Sequence, residues 1–216
     1  MEKNKKALIV EGGGSRGVFS FGVTDSFIRS FFDPFDMYLG VSNGTMVLFW
    51  YLMKETDNNL DKMLLVGSKK YINYKNIFSN KDIMDFEKLF KDGEKIFPVD
   101  FNKLLRNLVN KKYYVVTTDA ETAKAEYFEP TKYDYIKKFL ASGTLPILMK
   151  KPRLINGRRK FDGGISDPLP VKKAYDLGAR YIVVIRTYEE KFIRSLKIEN
   201  YLASWYTIKY PKLSKA

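Results

Sequence analysis

The chain has 216 residues, which fits one domain with a short appendage, and 45% of them are hydrophobic, enough for a substantial core. It carries 38 Lys and Arg against 25 Asp and Glu, a formal net charge of +13. That balance favours acidic partners such as an anionic lipid surface or nucleic acid, although the Lys- and Asn-rich usage of an AT-rich genome gives the same sum. There is no cysteine, so disulfides are excluded, and no histidine, so the usual base for a nucleophilic serine is missing. No stretch approaches the length of a membrane span and no signal peptide is visible; a cytoplasmic protein without metal or cofactor is expected.

Lys6-Ala7-Leu8-Ile9-Val10 reads as a first strand and runs into Glu11-Gly12-Gly13-Gly14-Ser15-Arg16-Gly17. Residues 18–32 then read as a helix, with Val18, Phe21, Phe27, Ile28 and Phe31 available for an apolar face. A glycine run between strand and helix lets backbone N–H groups point outward at an anion. Such donors can form an oxyanion hole or a phosphate cradle. Gly12-x-Gly14-x-x-Gly17 matches the dinucleotide fingerprint, which also requires an acidic residue at the end of the second strand, about 20 residues on. Asp33 and Asp36 are near that distance but precede the second strand. A glycine turn without a ligand remains open. So does Arg16, either an anion contact or a surface arginine at a helix end.

Met37-Tyr38-Leu39-Gly40-Val41 reads as a short buried strand, and residues 45–53 as a helix apolar on every side. Between them stands Gly40-Val41-Ser42-Asn43-Gly44, a G-x-S-x-G elbow. This pattern forces a serine onto a tight strand-to-helix turn with its hydroxyl exposed for attack on an acyl carbon. Glycines at 40 and 44 remove side chains that would clash where strand and helix cross. Ser42 would sit at a helix N-terminus, which favours developing negative charge. With no histidine in the chain, Ser42 either is not a nucleophile or uses another base, for which Asp162 is the candidate.

Residues 54–112 are the least informative: short helices and loops with Tyr71, Tyr74, Phe78, Phe86, Phe90 and Phe97 among lysines, where a lid or acyl channel would be sought, or simply core. Asp100 is placed to cap a helix that begins at Phe101. Residues 112–118 and 125–128 read as strands, 133–141 as a helix. Arg153-Leu154-Ile155 and Arg158-Arg159-Lys160-Phe161 flank Asn156-Gly157, a hairpin signal. Lys150, Lys151, Arg153, Arg158, Arg159 and Lys160 enclose no acidic residue, so the hairpin reads as a membrane-facing basic patch or a solvated turn. It leads into Asp162-Gly163-Gly164, which alone is ordinary turn chemistry. A helix over residues 171–177 stopped by Gly178 and a last strand over 180–187 follow, and the aromatic segment 201–210 reads as a helix that packs on the domain.

Three ordered motifs, Gly12-Gly13-Gly14-Ser15-Arg16-Gly17, Gly40-Val41-Ser42-Asn43-Gly44 and Asp162-Gly163-Gly164, resemble those of the patatin-like phospholipase family over residues 6–187. The resemblance implies a three-layer α/β fold with a mainly parallel central sheet and helices on both faces. It implies Ser42 as nucleophile, Asp162 as base in a Ser–Asp dyad, and Gly12, Gly13 and Gly14 as oxyanion hole, with Arg16, Gly17, Gly40, Gly44, Gly163 and Gly164 supporting the motifs. The expected substrate is a lipid or fatty acyl ester, with peripheral contact to an anionic membrane and no nucleic acid partner. Residues 1–190 would form the hydrolase domain and 191–216 a helical tail, short beside family members that continue with further helices. Asn43 departs from the pattern, which leads one to expect a smaller residue there. Two other classes stand beside this one: a dinucleotide-binding oxidoreductase that uses the glycine loop, and a basic membrane- or nucleic-acid-binding protein on an inactive hydrolase scaffold.

Overall fold

The computed structural model describes residues 4–79, 81–146, 148–189 and 210–215. The elements are, in chain order, β1 Lys5–Val10, α1 Gly17–Arg29, β2 Met37–Val41, α2 Asn43–Leu52, α3 Asn59–Val66, α4 Phe86–Ile96, α5 Phe101–Asn107, β3 Lys112–Asp119, β4 Ala125–Phe128, α6 Tyr135–Ser142, β5 Arg153–Ile155, β6 Arg158–Asp162, α7 Val171–Asp176 and β7 Ala179–Ile185. The expected tail helix lies outside the described residues, except that Tyr210 is buried edge-on against Phe161 and a 3-10 turn covers Pro211–Lys215.

The strands form one sheet in the order β5-β6-β3-β2-β1-β7, with β4 also paired to β3. β7, β1, β2 and β3 run parallel, while β4 and β6 run antiparallel to β3 and β5 antiparallel to β6. The parallel part is thus extended on one side by hairpin strands. Along the parallel strands side chains alternate between two cores, as the pleat dictates. Leu8, Val10, Tyr38 and Val115 face a large core under α1, α2 and α6, while Ala7, Ile9, Met37 and Leu39 face a smaller one with Ala174 of α7. This is why β1 and β2 are continuous apolar runs: both faces are covered.

Local signals account for the ends. α1 stops at Arg29, three residues before the expected limit, because Phe31 takes a left-handed conformation (φ 55). Phe32 N–H reaches Phe27 O at 2.8 Å and Phe31 N–H reaches Ile28 O at 3.0 Å, a Schellman closure. That turn throws Phe31 out to 96% exposure, so it does not belong to the apolar face expected of it, and Val18 is exposed as well. Asp100 accepts Asn102 N–H at 3.0 Å and caps α5. Gly178 (φ 97) ends α7, and Asn156 (φ 50) with Gly157 (φ 74) turns the β5–β6 hairpin.

Candidate active site

The register of β3 brings two distant motifs together. One edge of β3 pairs with β4 over Val115 to Thr118. The other edge is shared in succession: β2 occupies it up to the pair Val41–Val116, and β6 takes over at the pair Asp162–Thr117. β2 must therefore leave the sheet at Ser42, and Asp162 stands beside the point where it leaves. Ser42 caps α2 in a strained positive-φ conformation (φ 52, ψ −128), which turns its side chain out of the sheet at the helix N-terminus. Its N–H donates to Ser142 Oγ at 3.0 Å. Asp162 is buried; its Oδ1 accepts Gly164 N–H at 2.7 Å, its N–H donates to Thr144 O at 2.9 Å, and its carbonyl accepts the Thr118 hydroxyl at 2.7 Å. The last residue of α6 thus holds Ser42 through the Ser142 hydroxyl, and the short link that follows holds Asp162 through Thr144.

The glycine loop passes against the same serine. A Cβ on Gly12 would stand 2.7 Å from Ser42 Cβ, and one on Gly40 would stand 2.6 Å from Thr45 Cα. Gly44 and Gly163 abut the carbonyls of Val10 and Val116, and Gly17 abuts the Asn43 amide, so each of these motif glycines marks a close approach. Gly14 has φ 54 and starts a 3-10 turn to Arg16. Two residues not foreseen hold the loop from behind. Thr187 donates its hydroxyl to Gly12 O at 2.6 Å, and its N–H goes to the buried Glu11 carboxylate at 2.7 Å. Asn43, the departure from the motif, donates its amide to Gly14 O at 2.9 Å and so ties elbow to loop. Arg16 is exposed and stacks over the Tyr188 ring, 4.0 Å from its centroid.

From Ser42 an apolar channel of about 160 Å³ runs between α2, α3, α4 and α6. Met46, Phe49 and Trp50 line it at helical spacing from Asn43, so one face of α2 forms its wall. Phe86, Phe90 and Phe97 of the uninformative middle segment form the opposite wall, whereas Tyr71 is buried elsewhere and Tyr74 is exposed.

Two sequence readings change. The hairpin is not a free basic patch. Lys160 is buried and pairs with Asp119 at 2.6 Å and Glu126 at 2.8 Å; Arg158 reaches the same two acids; Arg159 pairs with Glu121 at 3.5 Å and Arg153 with Glu87. The acids come from β3, the β3–β4 turn, β4 and α4, and none of them is adjacent in sequence. The dinucleotide reading also loses its acid. Asp33 and Asp36 precede β2, at the opposite end of the parallel strands from the glycine loop. Asp36 accepts Lys6 N–H at 2.8 Å, and Asp33 accepts from Lys54, Lys111 and Tyr38.

A family model described as patatin-like phospholipase matches residues 8–175. The chain is 31% identical over 183 residues to the uncharacterized protein YjjU of Escherichia coli (strain K12), covering 84% of this chain and 51% of YjjU; the chain thus spans about half the length of this curated relative. A crystal structure of VipD from Legionella pneumophila superposes with TM-score 0.50 at 14% identity, over 98% of this chain and 55% of VipD, a likeness of fold.

Proposed function

Because the chain belongs to the patatin-like phospholipase family, we propose that it is a serine acyl hydrolase that cleaves fatty acyl esters of lipids through an acyl-enzyme on Ser42, with Asp162 as its base. The observation that supports this reading is the succession of β2 and β6 along one edge of β3, in which Val41, the residue before the strained Ser42, and the buried Asp162 pair with the consecutive residues Val116 and Thr117.

In this mechanism the acyl chain lies in the channel and its ester carbonyl reaches Ser42. The hydroxyl oxygen attacks the carbonyl carbon while its proton passes to the Asp162 carboxylate. An aspartate of ordinary pKa, about 3.9, is a weak base for a hydroxyl, so the transfer must accompany bond formation in a dry site. The oxyanion is met by N–H groups of the Gly12–Gly14 segment and by the N-terminus of α2. Collapse breaks the ester bond, and the leaving alcohol takes the proton from Asp162. Water then attacks the acyl-enzyme, gives a proton to Asp162, and the fatty acid leaves as Ser42 regains that proton.

No described helix is long and apolar enough to cross a membrane, and access to lipid would be peripheral. The test is a fluorophosphonate label combined with turnover of a lysophospholipid panel. Labelling confined to Ser42, with release of fatty acid, is expected. A protein that neither labels nor turns over any ester is not a hydrolase.

A further inference from the structure

The channel beside Ser42 has a defined far end. Beyond Ser42 and Asn43, its polar lining residues among those described are Lys62, Glu94 and Tyr135. Lys62 stands at the Trp50 ring and the Tyr135–Glu94 pair at the neighbouring Phe49 ring, so these polar groups gather around the Phe49–Trp50 end of α2 and away from Ser42. The Lys62 ammonium sits 3.9 Å from the Trp50 ring centroid and 5.6 Å from that of Phe97, and is held by Asp57 O and Asn59 Oδ1, each at 3.0 Å. Tyr135 donates its hydroxyl to Glu94 and stacks on Phe49.

Two helices measure the distance to this end. Trp50 is eight residues beyond Ser42, about 12 Å along α2 at 1.5 Å per residue. On the opposite wall, Phe86 marks the near end: a Cβ on Gly143, the residue after Ser142, would stand 2.6 Å from Phe86 Cε2. Gly93 is seven residues further, about 10 Å along α4. An extended backbone advances about 3.3–3.6 Å for every three bonds, so 10–12 Å corresponds to roughly eight to ten carbons of an extended chain.

Gly93 is the residue without a structural reason. It lies inside α4, where glycine is destabilising relative to alanine. It has no positive φ, and the nearest atom to a Cβ built there is Leu65 Cδ2 at 3.6 Å, ordinary contact. Neither backbone nor packing asks for glycine; a side chain there would occupy the lumen.

We propose that Gly93, which lines the channel beside Leu65, sets the length of acyl chain this protein accepts at about eight to ten carbons. The inference rests on the acyl hydrolase reading of the site. The test is kcat/KM on p-nitrophenyl esters of four to sixteen carbons, with calorimetric binding of free fatty acids of six to sixteen carbons as a readout independent of turnover. In the natural chain kcat/KM rises by up to about fourfold per methylene, then flattens between eight and ten carbons, and fatty-acid affinity levels at the same length. Gly93→Leu lowers the ratio of ten-carbon to four-carbon kcat/KM at least about tenfold and weakens decanoate binding in parallel. Gly93→Ala raises the melting temperature by about 1–4 °C while lowering the same ratio, a pairing that a merely structural glycine does not give. Lys62→Met moves the break to longer chains. An unchanged ratio in Gly93→Leu, or an equal loss at every length, overturns the inference. A natural chain that turns over no ester removes the hydrolase reading instead, and the fatty-acid binding profile still decides whether the channel measures length.

Discussion

Ser142 Oγ accepts the Ser42 N–H at 3.0 Å across 100 residues of sequence, and donates its own proton to Val116 O at 2.7 Å. A hydroxyl has one proton and two lone pairs. With the proton on Val116, the Thr45 hydroxyl 3.2 Å away must be a donor to Ser142, which completes the set. Ser142 is wholly buried and fixes the strained backbone of the elbow from below. Ser142→Ala therefore leaves the Ser42 N–H and the Val116 carbonyl unmatched, at about 1–3 kcal/mol. Activity should fall about tenfold or more, in kcat rather than KM, because the serine drifts while the channel is untouched. Denaturation and steady-state kinetics on the same preparation check both.

Ser42→Ala and Asp162→Asn should each reduce ester hydrolysis by at least about 10⁴-fold, and the double variant should be little worse than either single one. Asp162→Asn keeps an oxygen that can accept the Gly164 N–H, so the turn should fold normally. Near-normal turnover by this variant would remove Asp162 from the mechanism.

Gly12→Ala places a methyl 2.7 Å from Ser42 Cβ and should suppress turnover more than any other single change in the loop. Gly14→Ala meets no atom within 4 Å, but its φ of 54 costs an L residue about 1–2 kcal/mol. Asn43→Ala removes the amide that holds Gly14 O and should lower kcat about 10-fold if the loop carries an oxyanion donor, toward the 10²–10³ seen when such a donor is lost outright. Equal activity in all three would show that the loop does not touch the reaction.

What the chain declares locally agrees with its structure. The apolar run of β2, the Asn156-Gly157 turn, the Asp100 cap and the Gly178 stop are each decided within a few residues, and they appear where the sequence places them. The three motifs are local too, since each marks a close backbone approach. The rest depends on contacts between distant residues. Ser142 meets Ser42 100 residues away, Thr187 meets Gly12 175 residues away, and Lys160 meets Asp119 across 41. No pattern near Ser142 or Thr187 distinguishes them from other small polar residues. The hairpin illustrates the same point: its own composition is basic, yet its electrostatics are decided by acids of β3, β4 and α4 that only folding brings near.

Lys160 and Asp119 are both about 1% exposed and form a buried pair. Burial alone would push the Asp119 carboxyl up, but the Lys160 ammonium and the Thr122 N–H and hydroxyl outweigh it and hold the pKa at about 2. A depressed carboxyl stabilises the fold fully above its unfolded value, near 3.8, and loses that contribution as pH falls through about 2. Lys160→Met should destabilise by up to about 3–5 kcal/mol, because it leaves the buried Asp119 with only the half-exposed Arg158 as a cationic partner, while Lys160→Met with Asp119→Asn should recover much of the loss. Urea denaturation at pH 7 measures both. Repeating it stepwise down to pH 2 should show a decline that is reduced in Asp119→Asn.

Arg158 and Arg159 offer the contrast, because they are exposed and their removal spares the buried pair. A free basic residue near an anionic bilayer contributes about 1 kcal/mol, weakened by salt. Here Arg158 already lies against Asp119 and Glu126, and Arg159 against Glu121. Each arginine with its acid therefore presents little net charge to a membrane. Replacing Arg158, Arg159, Glu121 and Glu126 together with glutamine, which removes two positive and two negative charges, should therefore change binding to phosphatidylserine-containing vesicles by less than about twofold, where loss of two free charges would give about thirtyfold. Hydrolysis of a soluble ester should be unaffected, since none of these residues approaches Ser42. A loss near the larger value, restored by lowering salt, would show that the acids release these arginines at a surface and that the hairpin is a membrane contact after all. A small effect assigns any attraction to anionic lipid to the other lysines behind the +13 net charge.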